Sequence, residues 1–207
     1  MAVSLDEAVE LTRTGDVWLF RGTTAADRTI RITTNSPVNH VGLAVVIEDL
    51  PPLMWHAELG RSLRDMWTGG HHRGVQLHDL REAVVQWTGR YRQRAWLRQL
   101  EPPADRAMED AVLRTIARLD GTPFPSTARL FTRWLYGRAP IPRTPTSDAR
   151  LETAYCAEVA AITYQAMGLL PGKRRANWYD PGRFWSGDDL PLADGVRLGR
   201  EITVQVP

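Results

Sequence analysis

The chain opens on an amphipathic stretch, SLDEAVELTRTG. Ser4 and Glu7 fit a capping box and Gly15 suits a C-terminal stop, which predicts a short first helix. DVWLF, 16–20, is a short apolar run and predicts a buried strand. After the polar connector RGTTAADRTIRITTNSP, HVGLAVVI (40–47) alternates strictly. His40, Gly42, Ala44 and Val46 fall on one face, and Val41, Leu43, Val45 and Ile47 on the other. EDLPP reads as a turn, and LMWHAEL (53–59) as a second strand with Met54, His56 and Glu58 on its even face. RGVQLHDL and GRYRQRAWLRQL predict two more strands, with a short helix REAVVQW between them.

Beyond EPPAD the period becomes helical. Met108, Ala111, Val112, Thr115, Ile116 and Leu119 recur at helical spacing within 104–119, and DGTPFP ends that helix. STARLFTRWLYG predicts another helix, and RAPIPRTPTSD (138–148) a proline-rich loop that could wall a cleft. TAYCAEVAAITYQAMG (153–168) predicts a helix through Met167, closed by Gly168 with Pro171 beyond. DPGRFWSG suggests a turn and a helical stub, and GVRLGREITVQV a final strand or hairpin. Strands first, helices next and a strand last argue for an α+β fold in a single domain, 1–207.

Composition narrows the class. Of 207 residues, 43% are hydrophobic and 24% charged, as expected of a globular domain with one sizeable core. The net charge is +2, Lys173 is the only lysine, and the arginines are dispersed except at KRR, 173–175. No basic face is demanded, so nucleic-acid binding is not expected. A single cysteine excludes an internal disulfide. The N-terminus has no apolar h-region, and no run approaches the ~18 apolar residues of a membrane span, so the expected compartment is the cytoplasm.

The candidate chemistry centres on that cysteine, Cys156. Tyr155, Val159, Ile162 and Ala166 form the core stripe of its helix, and Cys156 borders the stripe. Alone, this reads as a small buried hydrophobe. If Thr153 is the N-cap, orphan N–H groups and the helix dipole would lower its pKa, and its own backbone N–H would be a natural oxyanion donor; a start near Ser147 would weaken this. His40 opens a strand whose same-face followers, Gly42 and Ala44, leave room for another element, and a packed helix could bring Cys156 there. In an antiparallel pairing of even register His56 shares that face with His40, so one can orient the other; Glu58 is the rival orienter. Trp55 lies on the opposite face and reads as core. His71, His72 and His78 accompany these histidines, but neither HExxH nor CxxC spacing occurs, so no metal or cofactor is expected.

GDVWLFRG, NHVGLAVV, MWHAEL, LDGTPFP and YCAEVAAITYQAMGLL occur in an order that resembles the circularly permuted NlpC-like hydrolases, the YiiX/YebB group, with lecithin:retinol acyltransferase as a distant cousin. The resemblance covers about 15–185. It implies a permuted papain-like fold, with an antiparallel sheet or half-barrel packed against the cysteine helix. It also implies a thiol hydrolase that cleaves an amide, peptide or ester-like bond through a thioester. His40 matches the base, His56 the polar residue ending the next strand, and Cys156 the nucleophile. CAEV replaces the family's serine with Ala157, and Tyr155 and Ala157 depart from the NCEHF of the acyltransferases. The alternatives are a lipid acyltransferase or thioesterase, or a non-catalytic member binding through the same cleft. The implied partner is a small-molecule, peptide or lipid-like substrate; no oligomeric state is implied.

Overall fold

A computed structural model describes residues 1–22, 36–58, 62–123, 156–188 and 190–206. The expected helix STARLFTRWLYG, the proline-rich loop 138–148, Thr153 and Tyr155 lie outside these residues.

The elements in chain order are β1 (Ala2–Ser4), α1 (Leu5–Leu11), β2 (Val17–Arg21), β3 (His40–Val45), β4 (Leu53–Glu58), β5 (Gly74–Asp79) and α2 (Leu80–Val85). They continue with β6 (Arg94–Arg98), β7 (Leu100–Glu101), α3 (Arg106–Leu119), α4 (Cys156–Ala166), β8 (Arg197–Leu198) and β9 (Ile202–Gln205). Ser4 caps α1 by accepting from the Glu7 N–H at 3.2 Å, as its sequence predicts. A π-helical turn, Gln86–Arg90, follows α2 directly.

Seven strands form one sheet in the order β1-β9-β6-β2-β3-β4-β5, and β7 and β8 form a separate pair. The α+β class holds, but the sheet is mixed rather than antiparallel, because β1 runs parallel to β9. Of the expected final strand or hairpin, the strand is present as β9; no hairpin forms, because β8 pairs with β7 and β9 with β6, so the two strands serve different sheets.

The sheet is covered on both faces. Against Val41, Leu43, Val45 and Trp55 pack α3 and α4, through Val112, Ile116, Val159 and Ala160. The Trp55 indole donates to the Thr163 hydroxyl at 3.1 Å and ties α4 to β4 inside that core. Against Trp18, Phe20, Ala44 and Met54 pack Leu5 and Ala8 of α1, Leu80, Ala83 and Val84 of α2, and Trp87. This second layer corrects one expectation: the cleared face beside Gly42 receives α1, α2 and Trp87, not the cysteine helix. A Cβ at Gly42 would run into the Met54 thioether and lie 3.4 Å from the His56 Cβ, so the small residue serves the packing of β4 side chains.

Candidate active site

The β3–β4 register pairs Leu43 with Trp55, Ala44 with Met54 and Val45 with Leu53. It is antiparallel and even, and puts His40 and His56 on one face as expected. His40 Nε2 lies 3.1 Å from His56 Nδ1. The geometry continues beyond the expected pair. His56 Nε2 lies 3.0 Å from His78 Nδ1 on β5, and His78 Nε2 lies 3.1 Å from Gln76 Oε1. The sequence does not join His78 or Gln76 to this pair, although RGVQLHDL reads as a strand and the period-two spacing of Gln76 and His78 is the available signal.

Gln76 gives this row a direction. An amide oxygen only accepts, so His78 carries its proton on Nε2 and offers a lone pair at Nδ1. His56 then donates from Nε2 and accepts at Nδ1, and His40 donates from Nε2. The Gln76 amide nitrogen, 3.4 Å from the Gly74 carbonyl, agrees with this orientation. The consequence is that His40 presents an unprotonated Nδ1, the atom a general base needs.

Burial grades along the row. His56 and His78 are 0% and 1% exposed, whereas His40 is partly open to solvent. Trp87 stands edge-on to His40 and His56, with ring centroids 4.8 and 4.7 Å away. Burial, then the charge His78 would carry, holds His40 down to about 4. Burial likewise holds His78 down to about 4, against the pull of Asp65. His56 is held well below its ordinary value by burial and by both neighbouring histidines. The row is therefore neutral at physiological pH.

Glu58, the rival orienter, makes no hydrogen bond to His40 among the described residues. Its carboxylate lies 3.7 Å from His78 Nδ1, outside hydrogen-bond reach, and its pKa is raised by burial against a hydrogen bond from Trp87.

Cys156 is 7% exposed and sits in the core on the other face, with Val41 and Val159. It meets β3 where the β3–β4 ladder ends: pairing stops at Leu43–Trp55, which leaves Val41 unpaired with β4. The backbone N–H groups of Val41, Ala157 and Cys156 itself act to lower the pKa of the thiol. Burial outweighs them and, with the Asp180 carboxylate nearby, pushes the thiol up to about 11. His40 and Cys156 thus flank one strand end from opposite faces. No hydrogen bond joins them among the described residues, and the thiol is neutral.

His56, Glu58 and His78 each offer a ligand atom within 4.8 Å of the others, and could hold a metal. The lone pairs facing inward from the two histidines already have donors in the row, so a metal there would have to break the 3.0 Å contact between them.

The arrangement is an α+β fold in which one strand end carries a histidine and a cysteine. No protein-family model matches the chain, and no curated protein matches it. The fold is that of the YiiX metalloprotein of Escherichia coli O157:H7: its crystal structure superposes with a TM-score of 0.50 at 19% identity, over 74% of this chain. The chain spans 65% of the YiiX chain. Among the described residues no helix is long and apolar enough to cross a membrane.

Proposed function

We propose that the protein is a thiol hydrolase of the permuted NlpC-like type, acting on an amide, peptide or ester-like bond, with Cys156 as nucleophile, His40 as base and His56 as the residue that orients it. The observation that carries this reading is the placement of Cys156, the first residue of α4, in the core beside Val41 of β3, the strand that opens at His40. The backbone N–H groups of Val41, Ala157 and Cys156 favour the thiolate, and the Cys156 N–H serves the oxyanion. Losing one such donor typically costs ~10²–10³ in rate.

The reaction starts from a neutral pair. His40 Nδ1 takes the thiol proton as sulfur attacks the carbonyl carbon, and the imidazolium then gives that proton to the leaving group. Water, deprotonated by His40, cleaves the thioester. His56 and His78 keep His40 Nε2–H engaged, which keeps the Nδ1 lone pair available. Because Cys156 and His40 flank the strand end from opposite faces, this transfer requires substrate binding at the open end of the ladder to bring them into contact.

The test is acylation by a p-nitrophenyl ester, read by intact mass. The expected result is one acyl group on Cys156, absent in Cys156→Ala and formed at least tenfold more slowly in His40→Ala. Acylation that ignores both substitutions, or none in the native chain, overturns the reading.

The His56, Glu58 and His78 cluster favours a second reading, metal-assisted hydrolysis, since YiiX is described as a metalloprotein. It requires hydrolysis that survives Cys156→Ala and is lost on chelation.

A further inference from the structure

A second cluster lies apart from the histidine row and shares no residue with it. Asp65, in the loop between β4 and β5, His72, near the end of that loop, and Asp120, at the C-cap of α3, each place a ligand atom within 4.8 Å of the others. We propose that these three side chains form a binding site for a divalent first-row transition cation, one that fastens the β4–β5 loop to the end of α3.

The surroundings of the two carboxylates point to a cation. Asp65 is fully buried, and its carboxylate accepts three hydrogen bonds, which leaves one lone-pair position open. Its Oδ2 accepts from the Thr68 N–H and hydroxyl at 2.8 and 2.5 Å, and its Oδ1 from the Leu77 N–H at 2.9 Å. Asp120 is the opposite case: both its oxygens are shielded from solvent and neither accepts a hydrogen bond. The group it faces is the Asp65 carboxylate, which has no proton to give. Two carboxylates in one water-poor site must share a proton or hold a cation.

His72 completes a donor set. Its Nε2 lies 3.3 Å from the Val75 carbonyl, so that nitrogen carries the proton and Nδ1 keeps its lone pair. An imidazole whose far nitrogen donates to a backbone carbonyl is the usual arrangement of a metal-bound histidine. Two carboxylates with one imidazole suit zinc or manganese better than calcium or magnesium, which prefer oxygen alone. Three protein ligands leave the remaining positions to water.

The backbone around the cluster is already braced. Met66 N–H donates to Leu77 O at 2.6 Å, Val75 N–H to Thr122 O at 2.8 Å and Gly121 N–H to Val75 O at 2.9 Å. These contacts hold all three ligands along the outer edge of β5, which they cover.

The experiment is calorimetric titration of the chelator-treated full chain with Zn²⁺ alone. Expected are one equivalent bound by the native chain, and an affinity at least tenfold weaker in His72→Ala and in Asp120→Asn but unchanged in His78→Gln. Metal-free Asp120→Asn should melt no lower than the native chain, because its amide can donate to Asp65. The proposal is overturned if the native chain binds no stoichiometric Zn²⁺, if His72→Ala binds as the native chain does, or if only His78→Gln loses binding. Should Asp120→Asn fail to fold, the proposal also fails, since its carboxylate would then be held by donors rather than by a cation.

Discussion

His78 Nε2 donates to Gln76 Oε1 across 3.1 Å, and this single contact polarises three imidazoles. Had the terminal group been a donor, every tautomer along the row would reverse, and His40 would face solvent with an N–H instead of a lone pair. Gln76 is 0% exposed, so no water competes for the role.

The first prediction concerns those tautomers. Nitrogen-15 spectra of the native protein near neutral pH should show His56 and His78 protonated at Nε2 and not at Nδ1. Gln76→Leu removes the acceptor and strands the His78 N–H in a buried site, which costs about 1–3 kcal/mol. It should also mix the tautomers. Spectra of Gln76→Leu identical to the native ones would show that Gln76 does not set the direction.

Acid stability follows from the same burial. His40 and His78 titrate near 4 in the folded chain, against 6.5 when exposed. Above 6.5 both states are neutral and stability does not depend on these groups. Between 6.5 and 4 the unfolded chain binds the extra protons, so stability falls as pH falls, each unit of pKa difference being worth ~1.4 kcal/mol. Urea melts at pH 7 and pH 5 should differ by on the order of 4 kcal/mol, about 2 from each of the two histidines, and His78→Gln should reduce the difference. A difference that His78→Gln leaves unaltered would place the acid sensitivity elsewhere, in carboxylates.

The thiol gives the alkaline counterpart. A folded pKa of about 11 predicts that iodoacetamide labels Cys156 slowly near pH 7, with a rate rising nearly tenfold per pH unit until about 11. Labelling that is already maximal at pH 7 would instead mean a resting thiolate and a closed contact with His40.

The sequence carried the centre of this molecule better than its margins. The alternation from His40 to Val45 and the even face of β4 were long enough to show their period, so the His40–His56 pair was legible. β1 and β8 have three and two residues, too few to display a period, and their partners β9 and β7 are remote in the chain. The face used by α4 was not legible either. Gly42 and Ala44 signal space, but not what fills it, and Trp87 reaches that space only through the π-helical turn after α2. His78 and Gln76 were readable as strand neighbours, yet their role depends on β5 lying beside β4, which composition does not encode. Asp120 looked like an ordinary helix terminus because its partner Asp65 is distant in sequence.

The last prediction separates two glycines by what surrounds them. Gly74 has φ +118, and a Cβ there would lie 2.8 Å from the Thr122 carbonyl carbon and 2.9 Å from the Pro123 Cα. Those are backbone atoms of the segment that pairs with Val75, so they cannot yield without breaking that pairing. Gly42 has ordinary backbone angles, and its added methyl would meet the Met54 thioether, a flexible group that can shift within the core. Gly74→Ala should therefore cost roughly 3 kcal/mol or more, combining left-handed strain with overpacking, and Gly42→Ala about 1–2 kcal/mol. For a chain of this length the difference corresponds to several degrees in Tm, at about 2–4 °C per kcal/mol. Gly42→Ala should nevertheless do the greater damage to His40-dependent acylation, because its methyl also crowds the His56 Cβ at 3.4 Å. Thermal melts and acylation rates of the two variants, measured side by side, should rank them in opposite orders; the same order in both would mean that Gly42 has no part in positioning the histidine row.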